Sequence, residues 1–108
     1  MNLILRPAAA ADVEAAYRWY EHRRAGLGSE FLDAARATLS AIDANPAGYP
    51  VVHRSTRRAL VRRFPYAVFY RLMGEHVVVV ACMHVPARLT ATSRLQRPAE
   101  RNRLTRRC

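Results

Sequence analysis

One stretch of seven residues without a polar side chain limits how this chain can fold. Residues 77–83 read Val-Val-Val-Val-Ala-Cys-Met. The run is rich in β-branched residues and much too short to cross a membrane, so it predicts a buried strand. A strand without polar alternation needs cover on both faces, which indicates a central strand of a sheet. The rest of the chain must therefore supply its neighbouring strands and its cover.

Three further strands are predicted from apolar runs that end at turn signals. A Gly-Glu pair separates residues 66–73 from the apolar run and is typical of a tight hairpin turn. Residues 57–63 precede that strand, and a Phe-Pro pair separates the two. Residues 2–6 form a short strand that ends at a proline, because proline has no N–H to donate to a ladder.

Two helices are predicted between the first strand and the others. Residues 9–24 and 29–44 carry apolar side chains at helical spacing. In the first helix, Asp12 and Glu14 lie near the start and arginines near the end, which suits the helix dipole. Ser29 is placed to cap the second helix. The link between the helices is short, so we expect an antiparallel helical hairpin.

The order of these elements is β-α-α-β-β-β, which predicts an α+β domain. The N-terminal helical hairpin packs on a small, mostly antiparallel sheet. We assign residues 1–93 to this domain and residues 94–108 to an Arg-rich C-terminal tail. The chain shows neither a signal peptide nor an apolar stretch long enough for a membrane span, so we expect a cytoplasmic protein without a membrane partner. The two cysteines form no CxxC pair and the four histidines lack metal-ligand spacing, so we expect no metal site and no cofactor.

Charge is unevenly distributed along the chain. The net charge is +10, and all eighteen basic residues are arginine. Thirteen of them lie in residues 51–108, against only Glu75 and Glu100. An excess this large favours a polyanionic partner, which is either nucleic acid, a ribosome or an acidic protein segment.

Several local strings, in this order and spacing, resemble the RelE/ParE toxin superfamily of type II toxin–antitoxin systems, known from plasmid-stabilisation and chromosomal loci. The most specific string is Arg-Arg-Phe-Pro-Tyr-Ala-Val-Phe-Tyr-Arg at residues 62–71, which is closer to ParE-like members. The others lie at residues 11–20, 26–32, 42–46 and 49–50, and a histidine, His84, follows the Val-rich strand. Relatives often continue with an Arg-Arg-Asp-Pro type run and a later Trp, whereas residues 85–89 here read Val-Pro-Ala-Arg-Leu.

The resemblance implies a growth-inhibiting toxin with one of two targets. ParE-like members inhibit DNA gyrase, and RelE-like members cut messenger RNA on the ribosome. In both groups a C-terminal segment of an antitoxin wraps over the toxin. Three hypotheses follow: a gyrase inhibitor, which we prefer, a ribosome-dependent endonuclease, and a non-toxic remnant that still binds an antitoxin. The altered segment after His84 motivates the third.

A nuclease site would need a proton-transfer group and cations for the phosphate. RelE-like sites commonly use lysine, which this chain lacks. His84 is the best candidate acid or base, and Arg62, Arg63 and Arg71 are candidate phosphate clamps. The alternative interpretation, which we prefer, is that His84 is a structural residue at a strand end.

Partner binding is assigned to the basic second half. We expect an acidic or amphipathic antitoxin segment, or the target, to contact the following residues: Arg54, Arg57, Arg58, Arg62 and Arg88. Tyr66 and Tyr70 share one strand face, for which core packing is favoured over stacking on RNA bases. Trp19 is likewise expected to be a packing residue.

Overall fold

The computed structural model describes residues 2–86 and has two helices and a five-stranded sheet. A single 3-10 turn, Pro46–Gly48, follows the second helix. In chain order the elements are β1 (Asn2–Leu5), α1 (Pro7–Arg23), α2 (Leu27–Ala44), β2 (Val51–His53), β3 (Thr56–Leu60), β4 (Tyr66–Met73) and β5 (His76–His84). The strand order in the sheet is β1-β5-β4-β3-β2. β1 runs parallel to β5 and the other pairs are antiparallel, so the predicted α+β class is confirmed.

The helical hairpin covers one face of the sheet. β5 lies between β1 and β4, which confirms that the apolar run is an interior strand. Tyr70 of β4 and Phe31 of α2 are completely buried in the core between the layers. The Tyr70 hydroxyl donates a hydrogen bond of 2.6 Å to the Pro46 carbonyl, so its polar end is satisfied. Tyr70 therefore serves packing, as expected, whereas Tyr66 packs against the edge of the core and is only half-buried.

Both helices begin earlier than predicted. α1 starts at Pro7, because proline is well suited to the first helical position, where its missing N–H costs nothing. α2 starts at Leu27 after Gly26, whose φ of 90° gives the left-handed turn between the helices. The expected Ser29 cap is wrong, since Ser29 lies inside α2. The Glu21 carboxylate of α1 accepts the Gly26 and Gly28 N–H groups instead, both at 2.9 Å.

The sheet also differs from the prediction near its edge. β2 was missed, because a three-residue strand after a proline gives almost no periodic signal. The strand predicted over residues 57–63 is Thr56–Leu60, and Arg62 and Arg63 lie in the turn before β4. Arg63 adopts a φ of 72°, a left-handed conformation that a regular strand does not contain.

A β-bulge divides β5 into two halves. Phe69 of β4 pairs with Ala81 and the next residue, Tyr70, pairs with Val79, so Val80 has no partner in β4. An extra residue reverses which side chains face each side of the sheet. As a result Val79 and Cys82 both face the helices, although three positions separate them.

The predicted boundary at residue 93, the Arg-rich tail of residues 94–108 and the candidate binding residue Arg88 lie outside the described residues.

Candidate functional site

An open groove of about 860 Å³ lies between α1 and the end of the sheet where β4 begins and β5 ends. Its walls are mainly apolar and aromatic. The residues that line it are Asp12, Ala15, Ala16, Trp19, Tyr20, Pro65, Tyr66, Cys82, Met83 and His84. Pockets with such walls and a few polar groups commonly bind ligands or partner side chains.

The bulge in β5 positions the sheet side of the groove. It directs Cys82 towards the helices, and His84 pairs with Tyr66 on the same face. The two rings contact edge to face, with centroids 5.4 Å apart. His84 is exposed and Tyr66 half-buried, so the imidazole is accessible from the open side of the groove.

Asp12 fastens α1 to this wall. β1 pairs with β5 only as far as Val79, which leaves the following part of β5 without a neighbouring strand on that side. The Asp12 carboxylate accepts a hydrogen bond of 3.0 Å from the Cys82 N–H and satisfies a donor that a strand would otherwise bind. Because α1 begins at Pro7, Asp12 lies beyond the first turn, where the helix dipole would favour a carboxylate. Asp12 therefore has a structural role and not the expected dipole interaction.

Burial holds three groups of the groove, the Cys82 thiol and the Tyr20 and Tyr66 hydroxyls, in their neutral forms near neutral pH. Burial, and secondly the Asp12 carboxylate, raises the pKa of the Cys82 thiol to about 12, so it is no nucleophile near neutral pH. Burial also raises the pKa values of the Tyr20 and Tyr66 hydroxyls. These groups suit hydrogen bonding to a partner better than proton abstraction.

Trp19 gives the groove its largest exposed aromatic surface. Its side chain is 51% exposed, and the Arg23 guanidinium stacks over the ring at 4.2 Å from the centroid. Tyr20, the next residue, is buried against Phe31 and Phe64. The sequence predicts packing for Trp19, but the structure leaves half of the ring on the surface. The sequence contained one indication of this exposure, because Trp19 lies outside the apolar stripe of α1.

The four candidate nuclease residues do not form one cluster. Arg62 and Arg63 lie at the same end of the sheet as His84, in the turn that leads into β4. Arg71 lies five positions along β4 from Tyr66, about 17 Å away, and on the opposite face. The Arg63 guanidinium is engaged with Glu30 of α2 at 3.1 Å. No arginine is among the described residues that line the groove.

The basic cluster expected around residues 54–63 is also dispersed. Arg54 lies in the turn between β2 and β3, at the end of the sheet away from the groove. The Arg57 guanidinium donates to the carbonyls of Ala47 and Tyr49 and so holds the 3-10 turn against β3. Arg58 lies on the face without helices. These residues therefore make no single electrostatic patch, and their binding roles stay predictions.

Residues 2–86 contain neither a cluster of metal ligands nor a helix that could span a membrane. No group of three His, Cys, Asp or Glu side chains there is arranged to hold a metal ion. Neither described helix is long and apolar enough to span a bilayer.

Comparisons with known proteins match most of the chain and agree with the fold. Residues 3–85 match the family described as ParE toxin of type II toxin-antitoxin system, parDE. A solved structure titled "Chromosomal ParDE TA system from P. aeruginosa" superposes with a TM-score of 0.63 at 24% identity, covering 80% of this chain and 97% of that one. At that identity the likeness shows the fold. No curated protein matches by sequence.

Proposed function

We propose, from the premise that this chain belongs to the ParE toxin family of type II toxin–antitoxin systems, that it arrests bacterial growth by binding DNA gyrase. The superfamily resemblance is thereby confirmed, and the gyrase target is our proposal. Gyrase works on the chromosome, so we also place the action of this chain in the cytoplasm.

The observation that supports a binding inhibitor is the composition of the groove. Trp19, Tyr20 and Tyr66 line it, and Trp19 is about half exposed. Aromatic residues are enriched at protein interfaces, and buried aromatic side chains supply much of the binding energy there. The absence of arginine from the described lining disfavours a phosphate site. A protein surface is therefore the better fit.

The direct test is a supercoiling assay with purified gyrase and the purified chain. We expect the wild-type chain to inhibit supercoiling, and Trp19→Ala to need about tenfold more protein for the same inhibition, since an interface anchor contributes about 1–2 kcal/mol or more. Met73→Ala is the matched control, because Met73 is similarly exposed (47%) but lies at the other end of the sheet. Full supercoiling at high concentrations of the wild-type chain would reject gyrase as the target.

A ribosome-dependent nuclease is the competing function, and the contact between His84 and Tyr66 is the observation in its favour. The exposed His84 ring is close to the turn that carries Arg62. Sequencing RNA 5′ ends after brief expression separates the two functions. Cuts in phase with codons that disappear in His84→Ala would establish the nuclease, whereas intact messages with a DNA-damage response support gyrase.

We also propose that a cognate antitoxin neutralises this chain through an acidic or amphipathic segment. The family is described as a toxin of a type II toxin-antitoxin system, which supports an antitoxin partner. Growth arrest on expression alone, relieved by co-expression of the antitoxin, is the expected result. Normal growth without the antitoxin would support the third hypothesis, a binding module that has lost toxicity.

A further inference from the structure

The last residues of β5, 81–84, form an unpaired edge of the sheet beside the groove. β1 pairs with β5 only as far as Val79, so these residues have β4 on one side and no strand of residues 2–86 on the other. Three of them, Cys82, Met83 and His84, line the groove. The outer edges of β1 and β2 are unpaired as well, but neither strand contributes a residue to the groove. The edge at 81–84, here called the β5 edge, therefore combines unpaired backbone with a pocket.

The main-chain groups of His84 point to the unpaired side. The Cys82 N–H points there and is bound by the Asp12 carboxylate, whereas the Val85 N–H points the opposite way, to the Pro65 carbonyl. Main-chain groups alternate in direction along a strand, so the N–H and C=O of His84 share the direction of Cys82. Among residues 2–86, neither group has a partner, and His84 is exposed. Such groups are a template for another strand.

The groove gives an added strand a place for its side chains. Neighbouring strands lie about 4.8 Å apart and rise about 3.3 Å per residue, so the β5 edge accepts a segment of about three or four residues. Side chains of that segment would alternate between the two faces of the sheet. Those on the helix side would enter the groove between Trp19 and Tyr66. Ala15 and Ala16 of α1 leave room for them, because their side chains are small.

We propose that gyrase presents an extended, uncharged segment that adds to the β5 edge as a short strand and places an apolar side chain in the groove. This inference rests on the gyrase target proposed above and specifies how the contact is made. In strand addition, main-chain hydrogen bonds supply affinity and a neighbouring pocket selects the side chain. The His84 N–H and C=O supply the first, and the aromatic walls of the groove supply the second.

Charge and symmetry disfavour the other occupants. Among the described residues that line the groove, Asp12 is the only Asp, Glu or Arg, so an acidic segment or a nucleic acid would meet a charge of its own sign. A second copy could offer β2, with its exposed Val51 and Val52. That contact joins unlike surfaces and would continue from copy to copy, and each copy carries a net charge of +10.

Hydrogen exchange, read by mass spectrometry with residue-level fragmentation, tests the β5 edge in the wild-type chain. We expect the His84 amide to exchange at least about tenfold more slowly with gyrase bound than in the free chain, because it gains a hydrogen bond. The turn at residues 74–75, at the other end of β5, is the internal control and should exchange at an unchanged rate. Slow exchange of the His84 amide in the free chain would overturn the proposal, since the edge would already be occupied.

Two substitutions at position 84 separate the main chain from the side chain. His84→Pro removes the N–H that points away from β4, and His84→Ala removes the ring and keeps the N–H. In the supercoiling assay we expect His84→Pro to need about tenfold more protein than His84→Ala for the same inhibition. Equal inhibition by the two variants would overturn strand addition. Thermal unfolding shows whether His84→Pro is folded, and the exchange of the wild-type chain decides if it is not.

The remaining outcomes separate this inference from the proposed function. Inhibition of supercoiling by the wild-type chain without protection of the His84 amide would overturn strand addition and leave gyrase as the target. No inhibition would reject both. Protection of this amide by the purified cognate antitoxin and not by gyrase would assign the β5 edge to the antitoxin. Protection that grows with the concentration of the chain alone would assign it to a second copy.

Discussion

Asp12 and Cys82, seventy residues apart in the chain, are joined by a hydrogen bond of 3.0 Å from the Cys82 N–H to the Asp12 carboxylate. The bond replaces the strand that β5 lacks beyond its pairing with β1. It also sets the distance between α1 and the sheet at the groove. A single side chain thus links the fold to the shape of the candidate site.

Replacement of Asp12 by alanine should destabilise the fold. The half-buried Cys82 N–H would lose its acceptor, which costs about 1–3 kcal/mol. Asp12→Asn keeps an acceptor oxygen and should lose about half as much or less. Urea unfolding of the three proteins measures this difference. Equal stability of Asp12→Ala and the wild type would show that solvent satisfies the Cys82 N–H.

Stability should fall in alkaline solution. The folded pKa of Cys82 is raised to about 12, above the ordinary value of about 8.5. A raised folded pKa means that the contribution is complete below the unfolded pKa and is lost as pH rises through the folded one, here between about pH 9 and pH 12. Burial shifts the pKa values of Tyr20, Tyr66 and Tyr70 in the same direction, so they add to the loss above about pH 10.

The Cys82→Ala variant isolates the thiol contribution. Its free energy of unfolding should be lower at neutral pH because of the smaller side chain, but should begin to fall about one pH unit higher than that of the wild type. Urea titrations from pH 7 to pH 11 provide the comparison. Parallel curves for the two proteins would exclude Cys82 as the titrating group.

Gly28→Ala should push the helices apart. A Cβ at Gly28 would lie 2.7 Å from both the Tyr17 Cδ1 atom and the Tyr17 carbonyl oxygen, and the backbone atom cannot rotate away. We expect a loss of about 1–3 kcal/mol, typical of overpacking. Ser29→Ala, one position later on the exposed side of α2, is the control and should change stability by less than about 0.5 kcal/mol. A clear loss in Ser29→Ala would show that the loss in Gly28→Ala does not come from the contact with Tyr17 alone.

Arg57→Met should destabilise the fold even though Arg57 was expected to bind a partner. Two carbonyl oxygens, of Ala47 and Tyr49, would lose their donor, at a cost of about 1–2 kcal/mol. Arg54→Met, in the exposed turn nearby, should have a negligible effect. Thermal unfolding distinguishes the two. If Arg57→Met unfolds like the wild type, loss of antitoxin binding in that variant can be attributed to the interface itself.

Patterns that depend on neighbouring residues were predicted well from the sequence. The apolar run identified an interior strand, and the helical spacing identified α1 and α2, because burial on one or both faces leaves a periodic signal. The turn at Gly74 fixed the pairing of β4 with β5, and Gly74 adopts a φ of 62° there. Local chemistry therefore accounts for most of the architecture.

Features that depend on distant contacts were not predicted. The cap of α2 comes from Glu21 on another helix, and the partner of Asp12 is in β5. Arg58 and Arg62 are close in sequence, but strand alternation and a turn send them to different surfaces. A charge cluster in the sequence becomes a surface patch only if the backbone keeps its members on one side, and β3 does not do so.

The bulge at Val80 makes the length of β5 as important as its composition. Every residue from Ala81 to His84 owes its side of the sheet to that one extra position. In evolutionary terms, apolar substitutions within the strand are easily accommodated, whereas loss of a single residue would exchange its two surfaces. Met83 would turn inward under the helices and His84 would turn to the sheet face without helices, so one small deletion would remodel the wall of the groove.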